Sequence, residues 1–491
     1  MTDHARTGPS HGINRRTLLG RMAAGASLLA IGSATAGWAS VARAATPGSN
    51  PGKYKLDLGG YSGPELTGDT ITLRFMRQDF APSVNAVFDN AYAEFKKAYP
   101  NITIQEEKVP YGDLQKKVQV YVASGSAPDI MMGRNDFSTA YAAGQFAVPL
   151  QKYLTPEYVA DIVDSLRVSG SVNGDLLCLP WETNPVFMYF NKDIFAKAGV
   201  ETPPEVTDIT QGWTWDQLNE ALDKLTKALR AKGDTTSWGL ASSTYGNGGP
   251  GSNYAQLESV WVRSMGDPKA DKSSSVYKTF AGVSEDGFTA SGYLDTPEAA
   301  QGMKNYQFLF ANGITPKGTG SQFRQGVAAT MIGSINEANY MTAADKSGTP
   351  YANTPPFKFG TTPLPRGKIA FSAIIADAPF LFAGSPHIPE AAALLAFICN
   401  DANRIAFHKE WGSMPGRKSL LALDPRYTSE QPYELAVSVA ATAYPPPQTV
   451  GWFDYFNAVN PAVADIALGA DPQQRLTQAA QQIDGLLAKY K

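Results

Sequence analysis

Only two cysteines and four histidines occur in the 491 residues. Two cysteines cannot build a disulfide scaffold or a four-thiolate zinc site. Both Cys178 and Cys399 lie inside apolar runs, where a free thiol behaves as a small buried hydrophobe. His4 and His11 fall in the leader described below, which leaves His387 and His408 for the rest of the chain. A histidine-based triad or a histidine-rich metal site is hard to assemble from that pair, so no metal and no cofactor is expected. Glycine-rich phosphate loops of the P-loop or dinucleotide type are missing. Positive charge is not in excess either: 42 Lys and Arg stand against 45 Asp and Glu. Nucleic acid and anionic membrane both require a basic surface, and are excluded as main partners.

What is there begins with the N-terminus. Asn14-Arg15-Arg16-Thr17-Leu18-Leu19 is a twin-arginine pair followed by apolar residues. A weakly apolar, Ala/Gly-rich stretch runs from Met22 to Ala42 and ends in Ala42-Arg43-Ala44. Small residues flanking the cut suit signal peptidase, so residues 1–44 read as a twin-arginine (Tat) signal peptide, cleaved after Ala44. The competing reading, an uncleaved anchor, is disfavoured because so many Ala and Gly residues partition weakly into lipid. Without the leader's five Arg and one Asp, the remainder carries 37 basic and 44 acidic residues. The mature chain is thus expected to be extracytoplasmic, mildly acidic, monomeric and free of membrane insertion.

Residues 45–65, rich in Gly, Pro and Ser, read as an extended arm. An alternating α/β pattern follows. Ile71–Met76 is a short apolar strand, and Val84, Val87, Phe88, Ala91, Tyr92 and Phe95 then recur at helical spacing. Ile102–Gln105 and Asp129–Met132 read as further strands, with a helix over 114–122 between them. Strands alternating with helices of this length imply βαβ units and a mostly parallel sheet. Thr214 begins a helix with capping-box spacing to Gln217, and Thr296-Pro297-Glu298 begins another that Gly313 closes. Met331-Ile332 and Phe359-Gly360 border strands, Pro389 starts a helix, and Leu476, Ala480, Ile483, Leu487 and Tyr490 mark one face of a last helix. A chain this long divides into two or more lobes.

A further set of short motifs runs in a fixed order. Tyr99-Pro100-Asn101-Ile102 is followed by Ser126-Ala127-Pro128-Asp129-Ile130, Tyr141-Ala142-Ala143-Gly144 and Asn173-Gly174-Asp175. Tyr189-Phe190-Asn191-Lys192-Asp193, Phe323 to Gly333, Pro365-Arg366-Gly367 and Met414-Pro415-Gly416-Arg417 come later. In order and spacing the chain resembles family 1 bacterial extracellular solute-binding proteins, over about residues 70–491. The resemblance implies a two-lobed periplasmic-binding-protein fold (a type II flytrap) with an α/β sheet in each lobe. Lobe 1 would span 66–182 and 367–413, and lobe 2 184–364 and 416–491, with hinges near 181–184, 362–366 and 413–417. It implies a non-enzymatic binder that holds a small solute, a sugar or oligosaccharide, in the cleft and delivers it to an ABC transporter permease.

Sugars present hydroxyls in fixed directions and apolar C–H faces, so their sites combine carboxylates, amides and flat rings. The loops after the early strands supply Gln78 and Asp79, then Asn135 and Asp136. The first hinge supplies Trp181, Glu182 and Asn184. From lobe 2 come Tyr245, Ser334, Asn336 and Trp452, and Ser372 follows the second hinge. Where the family often has Gly-x-Trp this chain has Gly333-Ser334-Ile335, so one expected stacking ring is missing. Two alternatives stay open: a non-carbohydrate solute such as a polyol, glycerol phosphodiester, peptide or opine, and an exported carbohydrate-active enzyme using a carboxylate pair from Asp79, Asp136 and Glu182.

Overall fold

The computed structural model describes residues 56–491 apart from 243–253, 319, 344–345 and 348. The signal peptide, its cleavage point and Tyr245 lie outside the described residues. The described end of the arm lies along the protein: Tyr61 bridges to Leu154, and Leu56 and Leu58 pack on the core.

Two separate four-stranded sheets carry the fold. The strands, in chain order, are β1 (Ile71–Gln78), β2 (Ile102–Val109), β3 (Ile130–Arg134), the hairpin β4 (Ser171–Val172) and β5 (Asp175–Leu176), β6 (Glu182–Thr183), β7 (Val186–Asn191), β8 (Trp238–Leu240), β9 (Ala328–Ser334), β10 (Phe359–Thr362), β11 (Asp377–Leu381) and β12 (Met414–Pro415). The first sheet has the order β11-β3-β1-β2, the second β10-β7-β9-β8, and β6 pairs with β12. This is a two-lobed α/β fold.

The first sheet forms because β1 carries Leu73, Phe75 and Met76, all fully buried. Over it lies the helix Pro82–Ala98, whose Val84, Phe88, Ala91, Phe95 and Ala98 form one buried stripe at helical spacing. Each large side chain in such a stripe contributes about 1.5–3 kcal/mol by leaving water. β1 runs parallel to β2 and β3, as the βαβ pattern predicts, while β11 joins antiparallel to β3. In the second sheet β7 is buried at all six positions, and two of its three pairings are antiparallel (β7 with β9 and β10). The mostly parallel expectation therefore describes the first sheet only. The βαβ rule governs consecutive strands, whereas β7 enters from the other lobe and β10 and β11 are recruited from far along the chain.

Helix Trp215–Ala231 backs the second sheet. Its capping box is complete: Gln217 N donates to Thr214 Oγ1 at 3.2 Å and Thr214 N to Gln217 Oε1 at 2.8 Å. Trp215 stacks on Trp261 with ring centroids 3.7 Å apart and donates its Nε1–H to Ser264. Cys178 and Cys399 are both free and buried. No helix among the described residues is long and apolar enough to cross a membrane.

The lobes are joined by paired segments. In β6 and β12, Thr183 faces Met414 and Glu182 faces Pro415 in antiparallel register. Gly416 makes that approach feasible: a Cβ there would lie 2.4 Å from the Pro180 carbonyl oxygen.

Candidate functional site: a polar cleft between the lobes

β1, β2 and β3 are parallel, so their carboxyl ends share one edge of the first sheet, and antiparallel β11 begins there with Asp377 opposite Arg134. That edge of an open α/β sheet is where strand ends free their loops to meet a ligand. Gln78 ends β1, Tyr111 follows β2, Arg134 ends β3, and Glu182 enters from β6.

Arg134 grips Asp136 with two bonds, Nε to Oδ1 at 2.9 Å and Nη2 to Oδ2 at 2.7 Å. Trp452, from the other lobe, donates its Nε1–H to the same Oδ2 at 2.9 Å. Beside this contact Thr139 Oγ1 donates to the Thr449 carbonyl at 2.8 Å, and Phe137 meets Phe453 with centroids 4.7 Å apart. The lobes thus touch at this end of the cleft through a charge-assisted bond.

Glu182 and Asp377 form a buried carboxyl pair. Burial pushes Asp377 up to about 6, with the Glu182 hydrogen bond and Arg134 opposing and Asp136 adding. Burial also holds Glu182 well above the ordinary carboxylate range, Asp377 adds to this, and hydrogen bonding from Ser413 opposes it. The two groups hydrogen-bond each other, which requires a proton between them. Tyr111 stands over this cluster. Water reaches 47% of its surface, yet the cleft walls raise its phenol to about 12, against Arg134 and with Asp377, Asp136 and Glu182. From the second lobe the Tyr340 phenol, raised by burial and by Glu337, also senses Glu182.

Three amide oxygens define what the cleft lacks. Gln78 Oε1, Asn184 Oδ1 and Asn336 Oδ1 are buried and find no hydrogen-bond partner among the described residues. Gln78 comes from the first lobe, Asn184 from the crossing and Asn336 from the helix Ile335–Thr342 that follows β9. A buried acceptor left unmade costs about 1–3 kcal/mol, so each is a place for a donor supplied from outside.

The remaining expected site residues fall elsewhere. Asn135 turns inward: its Nδ2 donates to Ser169 Oγ and the Ile374 carbonyl, and its Oδ1 accepts from Ala376 N. Trp181 turns inward as well. Its ring lies in the first lobe's core against Phe88, Phe407 and the Arg404 guanidinium, because the strand-like 179–181 segment runs along β11 and turns the indole inward. Trp452 is 1% exposed with one face on Tyr455, so the indole offers its N–H rather than an open ring face. Asp79 is exposed and accepts from Asn85 Nδ2. Ser334 and Ser372 are buried, and Ser372 Oγ reaches the Val186 carbonyl at 3.4 Å. Sequence reasoning missed Tyr111, Tyr340 and Asp377. For Tyr111 a signal existed: it lies two residues past the end of a parallel strand, as Asp136 does.

Among the described residues no cluster of His, Cys, Asp and Glu is placed to hold a metal ion. The family model described as bacterial extracellular solute-binding protein matches residues 79–405, more than half of the chain. A binding protein of Brucella abortus (strain 2308) is 24% identical over 432 residues, covering 86% of this chain and 94% of its own. The cyclic alpha-maltosyl-1,6-maltose binding protein of Arthrobacter globiformis superposes with a TM-score of 0.65 at 20% identity, over 85% of this chain and 99% of that one. The maltose/maltodextrin-binding domain of Bdellovibrio bacteriovorus bound to maltotriose gives 0.63 at 17% identity, over 85% and 100%.

Proposed function

Since the chain belongs to the bacterial extracellular solute-binding proteins, we propose that it captures a carbohydrate between its lobes and hands it, unaltered, to the permease of an ABC importer. The observation that carries this reading is the trio of buried amide oxygens, from both lobes and the crossing, with Tyr111 and Tyr340 alongside. Sugar hydroxyls are donors and acceptors in fixed directions, so a sugar is the kind of ligand that supplies donors to such amide oxygens. The likeness in fold to binding proteins for maltose-type glycans supports the same ligand class.

Closure follows from the placement. A solute bound to Gln78 and Tyr111 supplies the donors that Asn336 lacks, and so favours the closed arrangement by its differential affinity. The lobes under this reading are 66–182 with 367–413 and 184–364 with 416–491, turning about 181–184, 362–366 and 413–417. Export through the twin-arginine pathway, cleavage after Ala44 and a monomeric mature chain complete it.

Hydrolysis is disfavoured by the carboxyl geometry. A retaining glycosidase separates its two carboxyl groups by about 5–5.5 Å, with the scissile bond between them. Glu182 and Asp377 hydrogen-bond each other, Asp136 is taken by Arg134 and Trp452, and Asp79 lies at the surface against Asn85.

The test is a thermal-shift screen of the mature chain against maltose, maltotetraose, other sugars, polyols, peptides and opines. A ligand at a hundred times its Kd adds about 2.7 kcal/mol of stability, which moves the melting curve visibly. A glycan is expected to give the largest shift and to reduce the radius of gyration in solution scattering. A peptide or opine that stabilises the chain where no glycan does would sink the carbohydrate reading.

A further inference from the structure

Glu182 stands where the ribbon joining the lobes meets the edge of the first sheet. It faces Pro415 across β6 and β12, while Asp377 opens β11 opposite Arg134. Glu182 is fully buried and Asp377 nearly so. Glu182 Oε1 accepts from Asn184 Nδ2 at 3.0 Å, which fixes that amide with Oδ1 as its unpartnered atom. The two carboxyl groups hydrogen-bond each other through a proton. The pair thus orients one of the three open amides from the segment about which the lobes are proposed to turn.

Charged and titratable groups meet the pair from each neighbouring element. Arg134 and Asp136, at the end of β3, act on Asp377 with opposite signs. Arg404, buried in the helix Asp401–Trp411, favours an ionised Glu182. On the same helix His408 Nδ1 meets Ser413 Oγ at 3.1 Å, and burial keeps that ring neutral. The phenols of Tyr111, from the first lobe, and Tyr340, from the second, are both raised and stay protonated. Asp377 is the member of this group that changes charge in mildly acidic solution. With the walls of both lobes around it, it titrates at about 6, against about 3.9 for an aspartate in water. Parting the walls readmits water and moves it down towards that value.

We infer that closure of the cleft is proton-linked: Asp377 takes up a proton as the lobes close on a solute, so acid favours the closed, solute-holding form. The proton comes from the solvent, and no bond of the solute changes. The inference rests on the solute-capture reading above and adds control by the surrounding pH. The sign follows from linkage. The closed form binds the proton more tightly, so its advantage is full at low pH and is lost as pH rises through about 6. Each unit by which closure raises the titration is worth up to about ten-fold in solute affinity.

Calorimetry of maltotriose with the mature chain at pH 5.0 and 7.5 is expected to show binding about three-fold tighter, or more, at the lower pH. Titrations at pH 5.5 in two buffers of different ionisation enthalpy should give heats that differ in the sense of proton uptake. Scattering from the solute-free chain should give a smaller radius of gyration at pH 5.0 than at 7.5. Asp377→Asn, verified as folded by circular dichroism, should lose all three effects. Where that variant does not fold, the heats and radii of the unsubstituted chain decide. Equal affinity at the two pH values, heats independent of buffer, or pH effects that persist in Asp377→Asn would overturn the proton link and leave solute capture standing. Failure of maltotriose to bind would count against a maltose-type ligand, and scattering then decides the link: an unchanged radius between the two pH values overturns it.

Discussion

Replacing Asp377 by Asn probes the carboxyl pair at the base of the cleft. Asp377 is 8% exposed and hydrogen-bonded to Glu182, which is fully buried. An unfolded aspartate titrates near 3.9, whereas burial raises this one to about 6 in the folded chain. Between those two values the folded protein holds a proton that the unfolded chain has released. Its stability therefore falls as pH rises through this window, the reverse of a salt-bridged carboxylate. Two pH units at 1.36 kcal/mol each set the loss at about 3 kcal/mol, complete above roughly pH 7. Asp377→Asn keeps the shape and a hydrogen bond to Glu182 but removes the proton. Urea unfolding from pH 4.5 to 7.5 should therefore show a downward slope for the unsubstituted chain and a shallower one for the variant. The variant gains relative stability towards neutral pH. Parallel pH profiles for the two chains, or a wild-type profile that rises over this range, would refute the shared proton.

Trp452→Phe removes the indole N–H that reaches Asp136 across the lobes. A bond to a charged acceptor contributes about 1.5–3 kcal/mol, and the variant should open more readily, seen as a larger unliganded radius of gyration. Asp136→Ala strands the Arg134 guanidinium that it pairs, so its cost should appear in urea stability and not only in ligand affinity. Gly416→Ala places a methyl group against the Pro180 carbonyl, and should destabilise by about 1–3 kcal/mol through forced separation of the crossings. Thr214→Ala loses the Oγ1 acceptor of Gln217 N while its backbone N–H still reaches Gln217 Oε1, and should cost about 1 kcal/mol in the same assay.

The fold was readable because its signals are local. The stripe from Val84 to Phe95, the capping box at Thr214 and the Thr296-Pro297 start each depend on residues within a turn or two, and the helices found there match. Antiparallel β11 was not readable. Its neighbour β3 lies more than two hundred residues earlier, and nothing in Asp377–Leu381 states which strand it will join. The site divides in the same way. Gln78 is legible as a polar position at a strand end, whereas Asn184 and Asn336 are reached only through the family resemblance, at the first crossing and at the Gly-x-Trp place. Whether a named side chain faces the cleft or the core depends on packing from other segments. Asn135 turned inward to hold the 374–376 backbone, and Trp181 turned inward to meet Phe88 and Arg404. Tyr340 gains its place only through the meeting of two lobes, and Asp377 only through the pairing of β11 with distant β3.

The ribbon of Glu182–Thr183 against Met414–Pro415 also decides what kind of motion the molecule permits. Two loose tethers would let one half twist, slide and tilt against the other. If the lobes turn about the three crossings proposed above, the two that are zipped edge to edge would resist twisting and sliding and favour a bend across the ribbon. Under the proposed function, each closure would then return the facing walls to the same alignment, so recognition could rely on fixed positions although it is assembled afresh every time.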